Sequence, residues 1–395
     1  MIQRHRRRGN APRDVAGTLC ARPGVGYHAV MAEIPFLLLR PYLLTRDLLV
    51  DRDEPDLDRL ERIEEPRRFV WSILPHAART FSACIALLPK RVAEAAAVAY
   101  LYCRSLDTYE DLVVDAGERE RALGEFAARF DAAVPGAAPA VGASHARDQR
   151  DAAHLLLVQR YALVDAVYGG LDPAVQGLIR RLVHDMSEGM RWSSATFVRQ
   201  GGVLQDEEQL ARYCRGVLGN PVLFSSRLLH WNQTGEAEIP AAVEQQAMTV
   251  GEMIQLANVT RDIEKDLRRG VAYHPALRDD LGADAADGNP ELTERIRRVR
   301  EELLVMALKR AAAYRPLIEY LSPRRISLAR ASGLLMLSFT DQYFRSCARR
   351  AGRQPWGPRH GSGRLIVGAL PAVWSRRFAG KRLEGIERDF LNAAT

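Results

Sequence analysis

Apolar residues recur every three or four positions through most of the chain and seldom alternate at period two, so the pattern predicts helices rather than strands. The helical stretches are 67–87, 90–112, 117–133, 151–168, 172–191, 205–231, 241–268, 291–320 and 323–350, with no internal repeat. Ala, Leu, Arg and Glu dominate them, which favours helix locally as well. The fold class is therefore all-α, and 395 residues that are 47% hydrophobic can fill a sizeable core. The Ala/Pro/Gly-rich stretch 134–147 reads as a surface loop. Residues 1–30, basic and glycine-rich without periodicity, read as a disordered tail, with Met31 as an alternative start. Residues 31–66 read as a segment that docks on the core. Within it, 34–50 is interrupted by Arg40, Pro41 and Arg46, falls short of the ~20 apolar residues that span a bilayer, and lies too far along the chain for a signal peptide. A main domain is expected over 67–350 and a basic extension over 351–395.

Two of the helices share a second pattern. One carries Tyr100, Arg104, Asp107 and Asp111, the other Gln255, Asn258, Asp262 and Asp266, each set spaced by three or four residues and so on one face. A single Asp pair at i and i+4 is ordinarily a solvated face. Here the first pair continues an aromatic and apolar run, Tyr100, Leu101, Tyr102 and Leu106, and the second shares its face with two uncharged amides, which suit a buried polar site. Two such helices facing each other make a carboxylate-lined pocket. Carboxylate oxygens can hold Mg²⁺, and Mg²⁺ neutralises and bridges the phosphates of a diphosphate leaving group. Arg104 and Arg261 add cationic donors. The motifs lie on opposite sides of the 134–147 loop, so the pocket requires both halves of the chain in one domain.

The formal charge of +7 suits an anionic substrate, a membrane surface or nucleic acid. The excess is clustered in Arg4, Arg6, Arg7 and Arg8 and again from Arg349 to Arg382, with no zinc-finger spacing or RNA-binding aromatic motif, so nucleic acid is not an expected partner. Residues 364–378 place Trp374 and a short apolar run among arginines, which reads equally as a peripheral membrane contact or as a packed C-terminal segment. Five scattered cysteines without a C-x-x-C point to a reducing, cytoplasmic location. His76, His154, His184, His230 and His274 show no metal spacing and read as core or surface residues, and Asp185 and Glu188 read as a solvated face.

At this point the residues resemble a known family. RTFSACIALLP (79–89), YLYCRSLDTYEDLVVD (100–115), MSEGM (186–190) with YCRGVLG (213–219), QLANVTRDIEKDLRRGVAYHP (255–275) and, more weakly, YLSPRR (320–325) are similar in order and spacing to the squalene/phytoene synthases. The squalene synthase-like enzymes are the nearest branch, and the resemblance spans about residues 67–345. It implies a single helical bundle with a central cavity walled by two Asp-rich helices. It further implies that Asp107, Asp111, Asp262 and Asp266 bind Mg²⁺–diphosphate, that Arg79, Thr80, Arg104 and Arg261 hold phosphate oxygens, and that Gln255 and Asn258 complete that end. Phe81, Tyr100 and Tyr213 match aromatic positions that face carbocations. The implied reaction ionises an allylic isoprenyl diphosphate, farnesyl diphosphate above all, and couples its C1 head-to-head to a second one, giving presqualene diphosphate or a squalene-type product. NADPH use is left open.

The chain departs from the family pattern in two places. After YCRGVLG the family places small glycines along the cavity-facing helix, whereas here the sequence reads Asn220, Pro221, Val222, Leu223, Phe224, and Val222 and Phe224 would narrow the cavity. In the second motif Gly270 is followed by Val271 where the family has Gly-Arg, so a phosphate-binding arginine is missing unless Arg268 or Arg269 replaces it. These departures favour an alternative, transfer of the prenyl group to a non-isoprenoid, aromatic acceptor. A non-catalytic family member is a third reading, against which all four aspartates are present.

Overall fold

In a computed structural model of the chain, the residues described are 36–51, 54–132, 134–284, 288–353 and 360–394. The predicted N-terminal tail, Met31 and the basic positions Arg4, Arg6, Arg7, Arg8 and Arg359 lie outside them. Among the described residues the regular structure is helical, apart from one isolated bridge between Val203 and Ala272. No helix among the described residues is long and apolar enough to cross a membrane.

The N-terminal segment forms α1 (Phe36–Leu49), which packs Leu43 into the core and sends Arg40 to the carbonyls of Ala86 and Leu88, at 3.0 and 2.8 Å. These are carbonyls that the end of a helix leaves unsatisfied. After a short α2 (Leu57–Glu61), α3 (Pro66–Ala78) starts at Glu65, whose carboxylate accepts from the N–H groups of Arg67 and Arg68, with Pro66 in the first turn. The sequence predicted one helix over 67–87. Instead the chain breaks at Arg79, which has φ 49° and ψ −118°, and resumes as α4 (Phe81–Leu87). Such a backbone is costly for a residue with a Cβ and persists only when its surroundings enforce it.

The long α5 (Lys90–Leu112) carries the first Asp motif and is followed by α6 (Ala116–Ala128). The 134–147 loop is anchored at two points, by Tyr109 Oη donating to Pro139 O at 2.7 Å and by Arg129 Nε donating to Gly136 O at 2.6 Å. The predicted helix 151–168 is split at Arg160 into α7 (Gln149–Gln159) and α8 (Tyr161–Gly169). The next helix, α9 (Pro173–Gln200), runs past the predicted end at 191 and stops where Gly201 takes a left-handed cap.

The predicted 205–231 helix comprises α10 (Glu207–Cys214), a π-turn over Arg215–Gly219 and α11 (Asn220–Thr234). At that π-turn the neighbouring helices approach backbone to backbone. A Cβ on Gly189 would stand 2.7 Å from Gly216 Cα, and one on Gly251 2.4 Å from Gly219 Cα, so only glycine allows α9, the turn and α12 (Ala241–Arg268) to meet. The chain continues through α13 (Pro290–Lys309), α14 (Tyr314–Leu321) and α15 (Leu328–Arg350). The residues beyond 350 are no loose extension. Helices α16 (Ser362–Ala369) and α17 (Arg376–Ala394) bury Leu365, Ile366, Leu383, Ile386 and Phe390, and Phe390 packs edge-on against Phe344 at 5.3 Å. Their apolar face is thereby taken up by the core, which is the packed alternative for that part of the segment.

Candidate active site

Both Asp-bearing helices open onto one cavity of about 710 Å³, and each is divided along its length. Val92 and Ala96 of α5 and Val250 and Ile254 of α12 line an apolar part. Tyr100 to Asp111 and Gln255 to Asp266, in the C-terminal halves of the same helices, line a polar part. Leu182, Met186, Ile318 and Leu321 extend the apolar wall. Every site position predicted from the sequence lines this cavity: Arg79, Thr80 and Phe81 at the α3–α4 break, Tyr213 beside the π-turn, Val222 and Phe224 on α11, and the two polar stripes. Asp185 and Glu188 do not.

Asp111 and Asp266 stand in the last turns of their helices, where the backbone dipole already presents negative charge. Acidic residues there are unfavourable unless a cation compensates them. Burial pushes the Asp107 carboxyl up to about 6, opposed by Arg104 and reinforced by Asp111. Burial and then Asp262 push Asp266 up to about 7. Glu110, three residues from Asp107 and on the same wall, rises to about 8 through burial and repulsion from Asp111 and Asp107. Among the described residues no three carboxylate, His or Cys side chains converge on a single ion. This donor set fits Mg²⁺ that completes its coordination with phosphate oxygens, as Mg²⁺ commonly does, rather than a closed protein cage.

The cationic side chains are fixed by neighbours. Arg104 donates through Nε to Ala77 O at 3.1 Å and through Nη2 to Tyr100 Oη at 3.2 Å, while Nη1 pairs with Asp107 at 3.1 Å. Arg261 makes a two-pronged contact with Asp262, at 2.7 and 2.6 Å, and lies 5.0 Å from the centre of the Tyr343 ring. Arg269 bonds Asp111 Oδ1 at 2.5 Å and stands 3.8 Å from Asp266, so it bridges the two motifs. Arg268 turns away to Asp284 at 3.4 Å. Of the two candidates for the missing arginine, Arg269 is the one in the cavity.

The aromatic positions form two groups. Phe81 and Tyr100 have ring centres 6.1 Å apart. Tyr213 shares a hydroxyl contact of 3.0 Å with Tyr273, and Asn258 donates to Gln255 at 3.1 Å, with Gln255 3.4 Å from Tyr213 Oη. Glu110, Tyr273 and Tyr343 escaped the sequence reading. Glu110 was findable by its i+3 spacing from Asp107 and Tyr273 by its place just after the second motif. Tyr343, on α15, has no local signal and reaches the cavity only because α15 packs along α12, where its hydroxyl stands 3.3 Å from Thr80 Oγ1.

With that geometry in view, comparison with known proteins is decisive on one point: the model of the family "Squalene/phytoene synthase" matches residues 74–360. The chain belongs to the squalene/phytoene synthase family. This family member is 25% identical over 227 residues to the squalene synthase of Schizosaccharomyces pombe, a match covering 56% of the chain and 47% of that protein. It is 26% identical over 209 residues to squalene synthase BSS of Botryococcus braunii, covering 52% and 41%. The matched region thus spans about half the length of these curated relatives or less. The structure of TcSQS with the ligand BPH1237 is similar at a TM-score of 0.60 and 19% identity, over 83% of this chain and 98% of that one, which shows a shared fold.

Proposed function

We propose that the protein is a Mg²⁺-dependent prenyltransferase that ionises an allylic isoprenyl diphosphate, farnesyl diphosphate above all, and joins its C1 to a second isoprenyl diphosphate. The observation that carries this reading is the division of one cavity into an apolar part and a part walled by two Asp motifs that Arg269 bridges. Mg²⁺, when bound, would supply charge to the departing diphosphate, with Asp107, Asp111, Asp262 and Asp266 as its protein ligands. Arg79, Thr80, Arg104 and Arg261 donate to phosphate oxygens, with Gln255 and Asn258 holding Tyr213 in place. The chain's own part is charge stabilisation and exclusion of water. Phe81, Tyr100 and Tyr213 present π faces to the allylic cation that remains when the C1–O bond breaks, and the electrons of that bond leave with the diphosphate. Loss of a proton after C1 attaches to the second chain gives presqualene diphosphate; squalene would further require that intermediate to release its own diphosphate and the resulting cation to accept a hydride, which NADPH would supply.

A second reading, transfer to an aromatic acceptor, is favoured by the side chains of Val222 and Phe224 in the cavity wall, where the family resemblance implies small glycines. Incubation with Mg²⁺ and labelled farnesyl diphosphate, with and without NADPH, separates the two. A C30 product absent from the Asp107→Ala variant supports head-to-head coupling. Asp107-dependent diphosphate release without any C30 product rejects it in favour of the second reading.

A further inference from the structure

We infer that the loop joining α14 to α15 and the turn before α17 together form a docking surface for an anionic lipid bilayer. Ile326 and Trp374, one in each segment, are 62% and 65% exposed. The segments are joined by backbone: Ser327 N–H donates to Val373 O at 2.9 Å. Beneath them the buried guanidinium of Arg330 donates to the carbonyls of Arg324, Arg325, Ala372 and Val373 at 3.0, 2.7, 2.8 and 3.1 Å. One buried cation thus pins both segments, and the two exposed apolar side chains stand on a fixed support.

The charge that the two segments themselves carry has one sign. Arg324, Arg325, Arg376 and Arg377 are all exposed, and among the described residues none is in an ion pair. Stretches 322–340 and 360–383 contain no Asp or Glu. Glu319 and Glu384, which flank them, both pair with Arg315, at 3.0 and 3.2 Å. Tryptophan prefers the headgroup level of a bilayer, and arginines beside it are drawn to anionic lipids. An acidic protein would answer the charge equally well, but position favours lipid. Leu321 and Ala329, on either side of the loop, line the cavity with Ile318 and Met336, so the surface lies against its apolar part. The use of such a surface for handing over a hydrocarbon product rests on the prenyltransferase reading. The docking itself does not.

The test uses the full-length protein in flotation with phosphatidylcholine vesicles, with and without phosphatidylglycerol. Binding is expected only with phosphatidylglycerol, and high salt should release it. The joint Arg324→Ser, Arg325→Ser, Arg376→Ser and Arg377→Ser variant should lower partitioning by about 10-fold or more. Brominated lipids should quench tryptophan fluorescence in the parent chain and much less in Trp374→Phe. Diphosphate release by these variants in detergent-free solution should be unchanged. Absence of binding to anionic vesicles, or binding that persists in the arginine variant and disappears when residues 1–30 are removed, would overturn the inference. Vesicle binding without any prenyltransferase activity would leave it standing and sink the enzymatic reading instead.

Discussion

The guanidinium of Arg269 reaches Asp111, Nη2 to Oδ1 at 2.5 Å, and so ties a residue just beyond the second motif to the last aspartate of the first. With Asp266 at 3.8 Å on its other side, it is a cation shared between the two Asp motifs. In Arg269→Gln the motifs lose that compensation. The metal-free variant should melt at lower temperature than the parent, and Mg²⁺ should raise its melting temperature by more. Loss of a charged donor at the diphosphate end should also lower kcat/KM by about 10- to 100-fold. Equal responses to Mg²⁺ in parent and variant would show that Arg269 does not compete for the metal site.

Asp107→Asn and Asp262→Asn remove one carboxylate from each motif while keeping its shape. If both motifs act on the leaving group, each should reduce diphosphate release by about 10²–10³-fold, the scale of losing one preorganised stabilising group. A large effect from only one would assign the ionising role to a single helix.

The raised carboxyls make stability depend on pH. Asp107, Asp266 and Glu110 sit at about 6, 7 and 8 in the folded chain, above the ~4 of an unfolded carboxyl. The folded state therefore holds protons that the unfolded state has lost. The stability these three groups contribute is greatest below pH ~4 and declines as pH rises through the folded values. Burial pulls His154 down to about 3, which has the opposite sign and costs stability as pH falls below ~6.5. From about pH 7.5 upward His154 is neutral in both states. In EDTA the melting temperature should fall between about pH 7.5 and 9, and Glu110→Gln should flatten that fall. Mg²⁺ should bind more tightly as pH rises, since its ligands must be deprotonated. An EDTA melting curve indifferent to pH in this window would reject the assignment.

Arg79 holds a positive φ at the junction that points Thr80 and Phe81 into the cavity. Comparing Arg79→Gly with Arg79→Ala separates backbone from side chain, because both remove the guanidinium and only glycine accepts the backbone freely. The glycine variant should be more stable than the alanine variant by about 1–3 kcal/mol. Both should lose activity if the guanidinium holds phosphate.

Phe224 lies in the cavity wall and is 6% exposed. Phe224→Ala, with Val222→Gly, enlarges the cavity at a cost of about 3 kcal/mol for the phenylalanine. If space for a second chain limits coupling, the pair should raise the ratio of C30 product to diphosphate released. An unchanged ratio would mean that these side chains do not set the acceptor.

The all-α class, the bounds of the two Asp-bearing helices and the place of both Asp motifs on one cavity were legible in the sequence, because helical periodicity and i, i+4 spacing are local properties. The breaks at Arg79, Arg160 and the π-turn were not, since each depends on neighbours: the π-turn forms where Gly216 and Gly219 lie against Gly189 and Gly251 of other helices. Sequence periodicity likewise left open whether the segment around Trp374 packs or faces a membrane. The structure divides it, burying Leu365 and Ile366 and exposing Trp374.

By itself, then, the sequence determined which residues are candidates for the chemistry and on which helix faces they stand. Only the tertiary structure decided that Arg269 and not Arg268 enters the cavity, and that Tyr343 joins its lining from α15. The reason is physical: a helix fixes its own faces through bonds four residues apart, whereas the approach of one helix to another is set by side chains hundreds of residues away, and by the glycines that let their backbones touch.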